Sequence, residues 1–382
     1  MLNPHDITIA VCAFNAENTI ERALKSALAA TGGPILLIDD FSSDQTAAIA
    51  TRVAGDQLKI VRPTQKLGIG NARQTALEAI ETPFGVWLDA DDEILPNRIE
   101  VMRRAFEKTN ADLVFDAGEL VDGESGKSTA QLPMPAFLKG AGIWHLFERN
   151  WLPGLWGGFN VGFARKIGYD RKFFNSEDYD FTLRALAAGA NVELLQECGY
   201  RYYHYSGSVS RNLKEATDFT SQAIAKHRLE YVASKMKATG TSDAVRAYLG
   251  ASIALTTKQY SACIAAATAT KTEKELIEPY GVTAAALTSF LAGAAHLKQN
   301  EPAMALTQFM ACGLPTAACA NNIGVCHALL ANNQKARAYF EKALDLSPAY
   351  VDARQNLEQL GKNIDPHITL LPLRPLAGRS TY

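Results

Sequence analysis

The first ninety residues alternate short apolar runs with segments of helical composition, and this alternation constrains the fold more than any other feature. Predicted strands occupy the apolar runs 7–12, 35–38, 58–61 and 84–88. Such a strand–helix alternation is typical of an open, mostly parallel α/β sheet. One of the intervening helices is expected to begin at Ser42 as its N-cap, with Gln45 completing a capping box.

Polar clusters follow three of these predicted strands, at 14–17, 39–44 and 89–92. Ligands of open α/β sheets bind beyond the carboxyl ends of the strands, so the clusters predict one shared pocket. The last cluster reads Asp89-Ala90-Asp91-Asp92, and carboxylates so close together repel one another. Mg²⁺ or Mn²⁺ relieves such repulsion and can neutralise a diphosphate leaving group. A solvated acidic turn before a helix is the alternative interpretation.

A second acidic cluster, Ser176-Glu177-Asp178-Tyr179-Asp180, precedes a predicted helix over 182–188. These carboxylates could cap that helix. They could equally supply a general base that takes the proton of an acceptor hydroxyl.

From about Leu213 the sequence becomes alanine-rich and helical, and an internal repeat appears beyond residue 243. Gly293 and Phe309 recur as Gly324 and Phe340, an offset of 31 residues (324 − 293). The pattern resembles the tetratricopeptide repeat, a helical hairpin. We predict an α/β domain over 1–225, a helical connector over 226–242, an all-α repeat domain over 243–362 and an extended tail over 363–382. Cys312, Cys319 and Cys326 are expected to be small buried helix residues, with a metal or disulfide site as the alternative.

Composition excludes several classes of protein. The 382 residues carry a net charge of −2, which gives no bulk attraction to nucleic acid or to an anionic membrane. The chain has no apolar run long enough to cross a bilayer, and its first residues lack the pattern of a signal peptide. We therefore expect a cytoplasmic protein with at most peripheral contact at the inner face of a membrane.

Four motifs of the first ~220 residues resemble those of family 2 glycosyltransferases with the GT-A fold, a Rossmann-like, mostly parallel sheet. The motifs occur in the order of that family. They are Val11-Cys12-Ala13-Phe14-Asn15-Ala16-Glu17, Asp39-Asp40-Phe41-Ser42-Ser43-Asp44-Gln45-Thr46, Asp89-Ala90-Asp91-Asp92 with Pro96, and Glu177-Asp178 with Phe181 and Arg184.

The resemblance implies a role for each matched residue. Asp178, with Glu177 beside it, would be the base of a single displacement that inverts the anomeric centre. Asp91 and Asp89 would hold Mn²⁺ or Mg²⁺, with His204 as a further candidate ligand. Trp156 is the candidate acceptor contact. The donor-binding residues would be Cys12, Phe14, Glu17, Asp40, Arg73, Asp89 and Ala90.

Three positions have a second interpretation. The family often has His where Tyr205 stands, so His204 could instead be a packed or solvated residue of a tyrosine-rich strand. Trp156 could belong to the core. Arg211 could touch the diphosphate. No Gln-x-x-Arg-Trp motif of processive synthases follows Asp178, which favours one sugar per binding event.

The sequence thus predicts the transfer of one sugar from a nucleotide-diphosphate sugar, UDP-linked, to a glycan or lipid-linked acceptor. A peptide or protein acceptor recruited by the repeats is the alternative, because helical repeats present concave surfaces to peptides and the resemblance includes peptide-modifying members. The repeats could also form a homodimer. A nucleotidyltransferase and a non-catalytic scaffold are more distant alternatives, and no nucleic-acid partner is expected.

Overall fold

A computed structural model describes residues 2–30, 33–154, 156–205, 213–362 and 366–370. The chain divides into two compact units. The first comprises Met1–Lys139 and Arg149–Ala223, and the second comprises Gly140–Glu148 and Ile224–Tyr382.

The first unit is built on one mixed sheet. Its strands are β1 (Ile7–Ala13), β2 (Ile35–Asp39), β3 (Leu58–Val61), β4 (Phe84–Asp89), β5 (Glu93–Ile94), β6 (Leu113–Asp122), β7 (Ser128–Leu132), β8 (Gly158–Asn160) and β9 (Val192–His204). The strand order is β3-β2-β1-β4-β8-β6-β9-β5, and β7 pairs with β6. The ladders β1–β2, β1–β4, β2–β3 and β6–β9 are parallel.

In the described ranges, six helices lie between these strands along the chain, and a seventh follows the last strand. They are α1 (Ile20–Ala30), α2 (Thr46–Ala54), α3 (Ile69–Ala79), α4 (Arg98–Thr109), α5 (Val161–Ile167), α6 (Glu177–Ala188) and α7 (Leu213–Ala225). On the central strand β1, Ile7, Ile9 and Val11 are completely buried together with the intervening Ala10, as expected of a parallel strand with both faces covered. The predicted α/β class is confirmed.

Two helices begin elsewhere than the sequence indicated. α2 begins at Thr46, and Ser42 does not cap it, because the Ser42 hydroxyl accepts the backbone N–H of Asn15 at 2.9 Å instead. The carboxylate of Asp44 accepts the N–H of Thr46 at 3.0 Å. α6 begins at Glu177 rather than at residue 182, so both candidate catalytic carboxylates lie in its first turn.

The second unit is largely helical. A 3-10 segment, Gly140–Phe147, precedes α8 (Leu229–Ala238), α9 (Asp243–Thr256), α10 (Tyr260–Ala269), α11 (Ala284–Lys298), α12 (Pro302–Cys312), α13 (Ala317–Leu329), α14 (Asn333–Leu346) and α15 (Val351–Gln359). A short hairpin, β10 (Leu276–Ile277) and β11 (Val282–Thr283), separates α10 from α11.

The 31-residue offset of the sequence corresponds to a repeated packing contact. A Cβ atom added to Gly293 would lie 2.8 Å from the ring of Phe309, and one added to Gly324 would lie 2.6 Å from the ring of Phe340. Glycine is therefore required where each ring packs against the preceding helix. The assignment of these helices to the tetratricopeptide class stays a prediction.

One segment groups with the second unit although the sequence predicted it within the N-terminal domain. Trp144 of the 3-10 segment donates its indole N–H to the hydroxyl of Thr239 at 2.8 Å. The hydroxyl of Tyr280 donates to the carboxylate of Glu148. Neither contact has a local sequence signal, because both join positions far apart in the chain.

Cys312, Cys319 and Cys326 are buried residues of α12 and α13, as the sequence predicted, and the Sγ atoms of Cys312 and Cys319 lie 3.4 Å apart. Among the helices of the described ranges, none is both long and apolar enough to cross a bilayer.

Candidate active site

The loops that follow β1 and β2 are held together by hydrogen bonds. Besides the Asn15–Ser42 bond, the carboxylate of Glu17 accepts the backbone N–H of Gln45 at 3.1 Å. Glu17, a predicted donor-binding residue, therefore also fixes the loop before α2. The result is one continuous polar rim at the carboxyl ends of the two strands.

Phe14 lies on this rim with 42% of its surface exposed. The ammonium group of Lys66 lies 3.4 Å from the centre of its ring. An exposed aromatic face beside a cation suits a nucleobase and its phosphates, because bases stack on aromatic rings and phosphates attract cations.

Asp40 is buried and orders the start of α3. Its two carboxylate oxygens accept the backbone N–H groups of Leu67 at 2.7 Å and of Gly68 at 2.9 Å. Gly68 has φ +83°, a conformation that glycine adopts at little cost. Each oxygen retains a second lone pair, so these bonds leave Asp40 able to accept a further donor.

Arg73 of α3 connects the two acidic motifs. Its side chain is 95% buried, with Nη2 3.1 Å from Oδ1 of Asp89 and Nε 2.9 Å from Oε1 of Glu177. Burial by itself would lower the pKa of Arg73, but the two carboxylates raise it well above its ordinary value. The guanidinium therefore stays charged between the end of β4 and the start of α6.

The pair Glu177 and Asp178 has raised pKa values. Burial, together with the charge of Asp178, raises the pKa of Glu177 to about 7. Burial also raises the pKa of Asp178, while Arg73 opposes that rise. A carboxylate with a pKa near the working pH is well suited to act as a general base.

The three carboxylates of the 89–92 cluster have different surroundings. Asp92 is completely buried: it accepts the hydroxyl of Tyr200 at 2.9 Å and the backbone N–H of Tyr203 at 2.7 Å. The oxygen of Tyr200 also accepts the N–H of Asp89 at 3.0 Å. Asp92 is therefore a structural residue that anchors this turn to β9, and Asp89 and Asp91 remain for ligand binding.

Asp91 has the electrostatics that a cation would relieve. Partial desolvation of its carboxyl group, together with the charge of Asp89, raises the pKa of Asp91 to about 6. The side chain of Asp89 is 40% exposed. Two neighbouring carboxylates of this kind fit Mg²⁺ or Mn²⁺, which keep water and phosphate oxygens as their other ligands.

The structure does not bring His204 to this pair. Across the described part of the chain, no three His, Cys, Asp or Glu side chains gather into a cluster that could hold a metal. His204 pairs with Asp122 in the β6–β9 ladder. The next residue, Tyr205, is the one near Asp91: Arg22 donates to the Tyr205 oxygen at 3.0 Å and also to the backbone carbonyl of Asp91.

Three further predicted residues have buried or half-buried positions. Burial raises the pKa of Cys12 to about 12, so it is a neutral thiol. Ala90 is 8% exposed. Trp156 is a core residue, stacked on Tyr200 with ring centres 4.3 Å apart, and this position does not fit an acceptor contact. Arg211 and the Ser208-Val209-Ser210 turn lie outside the described residues.

Arg22 and Tyr200 are site residues that the sequence did not single out. The only sequence signal for Tyr200 was its position in the tyrosine-rich strand. Arg22 lies on α1 without any local motif, and its contacts with Asp91 and Tyr205 depend entirely on the tertiary structure.

Comparison with known proteins agrees with this geometry. Residues 8–175 match the family described as Glycosyl transferase family 2. The fold is similar to that of TarS 1-349 from S. aureus, crystallised with UDP-GlcNAc, with a TM-score of 0.52 and 16% identity over 92% of this chain and 91% of that one. Residues 8–175 are therefore similar to family 2 glycosyltransferases, and the first unit has a GT-A-like fold.

Two relatives come from Rhizobium meliloti. The succinoglycan biosynthesis protein ExoO is 27% identical over 55% of this chain and 64% of its own length, and ExoU is 29% identical over 52% and 61%. The E. coli protein UDP-Glc:alpha-D-GlcNAc-diphosphoundecaprenol beta-1,3-glucosyltransferase WfgD is 29% identical over 36% and 56%. The chain thus spans less than two thirds of the length of each of these relatives.

Proposed function

We propose that this protein is an inverting, metal-dependent hexosyltransferase that moves one sugar from a UDP-linked donor to a glycan or lipid-linked acceptor. The observation that carries the proposal is the buried Arg73, which pairs with Asp89 of the metal motif and with Glu177 of the base motif. The guanidinium of Arg73 thus connects the proposed metal-binding motif, which would face the leaving diphosphate, to the proposed base motif, which would face the acceptor.

The proposed reaction is a single displacement. The carboxylate of Asp178 takes the proton of the acceptor hydroxyl while the acceptor oxygen forms a bond to the anomeric carbon of the donor sugar. The bond from that carbon to the diphosphate oxygen breaks on the opposite face, and its electron pair leaves with the nucleoside diphosphate. One such displacement inverts the anomeric configuration.

Asp89 and Asp91 would hold Mn²⁺ or Mg²⁺, which when bound neutralises charge on the leaving diphosphate. Arg73 holds the carboxylate of Asp89 in place for this role. Phe14 offers its exposed face to the nucleobase of the donor, and Asp40 and Glu17 border the same rim. The UDP-GlcNAc complex of the structurally similar TarS supports a UDP-linked donor.

The relatives support a glycan or lipid-linked acceptor. ExoO and ExoU are named for succinoglycan biosynthesis, and the name of WfgD specifies a diphosphoundecaprenol-linked sugar. A peptide acceptor bound by the helical unit remains the second candidate, because Asn322 and Asn356 of that unit hydrogen-bond to the main chain of residues 366–370. A homodimer and peripheral membrane contact remain predictions.

The decisive experiment is a donor panel. The protein is incubated with UDP-, GDP- and dTDP-linked sugars and with Mn²⁺ or Mg²⁺, and nucleotide release is measured. We expect release from a UDP-sugar that stops when EDTA is added. If no nucleotide diphosphate is released or bound under any of these conditions, the proposed function is wrong.

We predict that Asp91→Ala abolishes the metal-dependent part of donor binding. The substitution removes the carboxylate that is proposed to bind the metal and leaves the nucleotide rim intact. UDP binding is measured by calorimetry with and without Mn²⁺. The control is Glu124→Ala, which changes an exposed carboxylate of the β6–β7 hairpin and should bind as the wild type does. A metal response of Asp91→Ala equal to that of the wild type would place the ion elsewhere.

The rate of transfer should fall as the pH decreases below about 7. The raised pKa of Glu177, about 7, means that the buried pair of Glu177 and Asp178 takes up a proton in that range. Burial also raises the pKa of Asp178, so a proton shared by the pair lowers the fraction of ionised Asp178 that can accept the proton of the acceptor hydroxyl. We expect kcat/KM to rise with pH through this midpoint, provided that circular dichroism shows a folded protein throughout. A flat profile would contradict a base in this pair.

A further inference from the structure

Two cysteine side chains of the second unit are in contact with each other. Cys312 is the last residue of α12 and Cys319 lies in the first turn of α13, and their Sγ atoms are 3.4 Å apart. Their exposed fractions are 6% and 2%. The proposed sugar transfer uses neither residue. A buried cysteine often acts only as a small apolar side chain, but two thiols at contact distance can also react with each other.

The ends of the two helices hold the thiols together. The Sγ atoms of Cys312 and Cys319 lie 3.0 Å and 3.6 Å from the same carbonyl oxygen, that of Phe309. α12 ends at Gly313, which has φ +62°, and the hydroxyl of Thr316 caps α13 by accepting the N–H of Cys319 at 3.2 Å. The short turn between the helices is therefore fixed at both ends, and it keeps the sulfur atoms at contact distance.

Oxidation is the reaction that fits this pair. A disulfide bond is about 2.0 Å long, so the sulfur atoms, now 3.4 Å apart, need to approach each other by only about 1.4 Å. Metal binding is the other common reaction of paired thiols, but a structural zinc site takes four ligands. Within the ranges that the structure describes, no third His, Cys, Asp or Glu joins Cys312 and Cys319 in a cluster suited to a metal.

The two thiols differ in acidity. The hydrogen bond from Cys319 lowers the pKa of Cys312, although burial opposes this change. The same hydrogen bond, together with burial, raises the pKa of Cys319. The thiolate is the nucleophilic form of cysteine, and Cys312 is also the more exposed of the two residues. Cys312 is therefore suited to attack an oxidant, and Cys319 is suited to react in the second step.

We propose that Cys312 and Cys319 form a reversible disulfide when the protein is exposed to hydrogen peroxide, so that the turn between α12 and α13 is an oxidant-responsive modification site. The disulfide would join the end of one helix covalently to the start of the next. The proposal is independent of sugar transfer, because it concerns thiols of the helical unit.

The reaction has two steps that together consume one peroxide. The thiolate of Cys312 attacks one peroxide oxygen, the O–O bond breaks, and the leaving hydroxide takes up the proton that Cys312 had lost and becomes water. Cys312 is then a sulfenic acid. The sulfur of Cys319 attacks the sulfur of Cys312, and the sulfenic hydroxyl leaves as a second water with the proton of Cys319. The two thiols are oxidised by two electrons, and a dithiol reductant reverses the change.

The test uses the reduced, full-length chain, treated with a small molar excess of hydrogen peroxide and then denatured in N-ethylmaleimide. The chain has six cysteines, so we expect four labelled thiols (6 − 2) and a mass lower by two hydrogen atoms before labelling. Peptide mapping should find the Cys312–Cys319 link, and dithiothreitol should restore all six thiols. This measurement requires no substitution, and circular dichroism before and after treatment checks that the chain stays folded.

Serine variants identify the two roles. Cys319→Ser should stop at the sulfenic acid, which dimedone traps as an adduct on Cys312. Cys312→Ser should give neither the disulfide nor an adduct at position 319. The control is Cys326→Ser, which changes a buried cysteine of the same helix as Cys319 and should form the disulfide as the wild type does.

Three results would overturn the proposal. One is a folded wild-type chain that keeps all six thiols after treatment with peroxide. Another is a disulfide that joins cysteines other than Cys312 and Cys319. The third is a link between two chains, which non-reducing electrophoresis would show as a dimer.

Discussion

Asp178→Asn is expected to reduce the rate of sugar transfer by about 10² to 10⁴, the usual contribution of a general base. The amide has nearly the same shape as the carboxylate but cannot accept the proton of the acceptor hydroxyl. The donor should still bind, since the nucleotide rim and the Asp89–Asp91 pair are unchanged. The measurements are kcat for transfer and the Kd for the UDP-sugar.

The control for this substitution is Asp56→Asn, which changes an exposed carboxylate of the same unit and should leave both quantities unchanged. If Asp178→Asn transfers sugar at the rate of the wild type, the base lies elsewhere, and Glu177 is then the next candidate. If donor binding is lost together with transfer, Asp178 serves the donor site rather than the acceptor.

Arg73→Met is expected to lower the free energy of unfolding by about 3 kcal/mol and to abolish transfer. Removing one partner of a buried ion pair leaves an uncompensated charge, which typically costs about 3–5 kcal/mol, and the partial exposure of Asp89 argues for the lower end. Glu177, whose side chain is only 6% exposed, is the carboxylate left without its cation.

The loss of stability in Arg73→Met should be larger at pH 8 than at pH 5. Without the cation, the pKa of folded Glu177 rises further above its unfolded value, so the folded state holds the proton more tightly. Unfolding free energy then falls as the pH rises from the unfolded to the folded pKa. Urea denaturation at both pH values measures this difference.

Arg73→Lys retains the charge and should be less destabilised than Arg73→Met. Arg104→Met, which changes an exposed arginine of α4, should alter stability by no more than about 0.5 kcal/mol. If Arg73→Met lowered the free energy of unfolding equally at pH 5 and pH 8, the guanidinium would contribute packing rather than charge.

The strand ends and the acidic motifs could be predicted because their signals are local. The apolar run before Asp89 and the run before Asp40 each define a strand, and parallel strands present their carboxyl ends at one edge. The roles proposed for Asp91 and Asp178 rest on residue type and on order along the chain. Neither inference needs a long-range contact.

The roles of several residues could not be predicted because they depend on long-range pairing. Asp92 belongs to the acidic cluster of the sequence, yet it binds Tyr200 and Tyr203, and Tyr200 lies 108 positions away. Ser42 looks like a helix cap, yet it holds Asn15 of the neighbouring loop. In both cases the side chain forms a hydrogen bond with a residue from another strand or its loop, and not the local interaction that the sequence indicated.

By itself, the sequence determined the α/β class, the helical character of the second half and the carboxylates available for chemistry, because periodicity and composition are properties of neighbouring residues. Only the tertiary structure decided that Arg73 joins Asp89 to Glu177, and that Asn322 and Asn356 bind residues 366–370. These pairings bring together residues far apart in the chain, and hydrogen bonds and buried charges act only at contact distance.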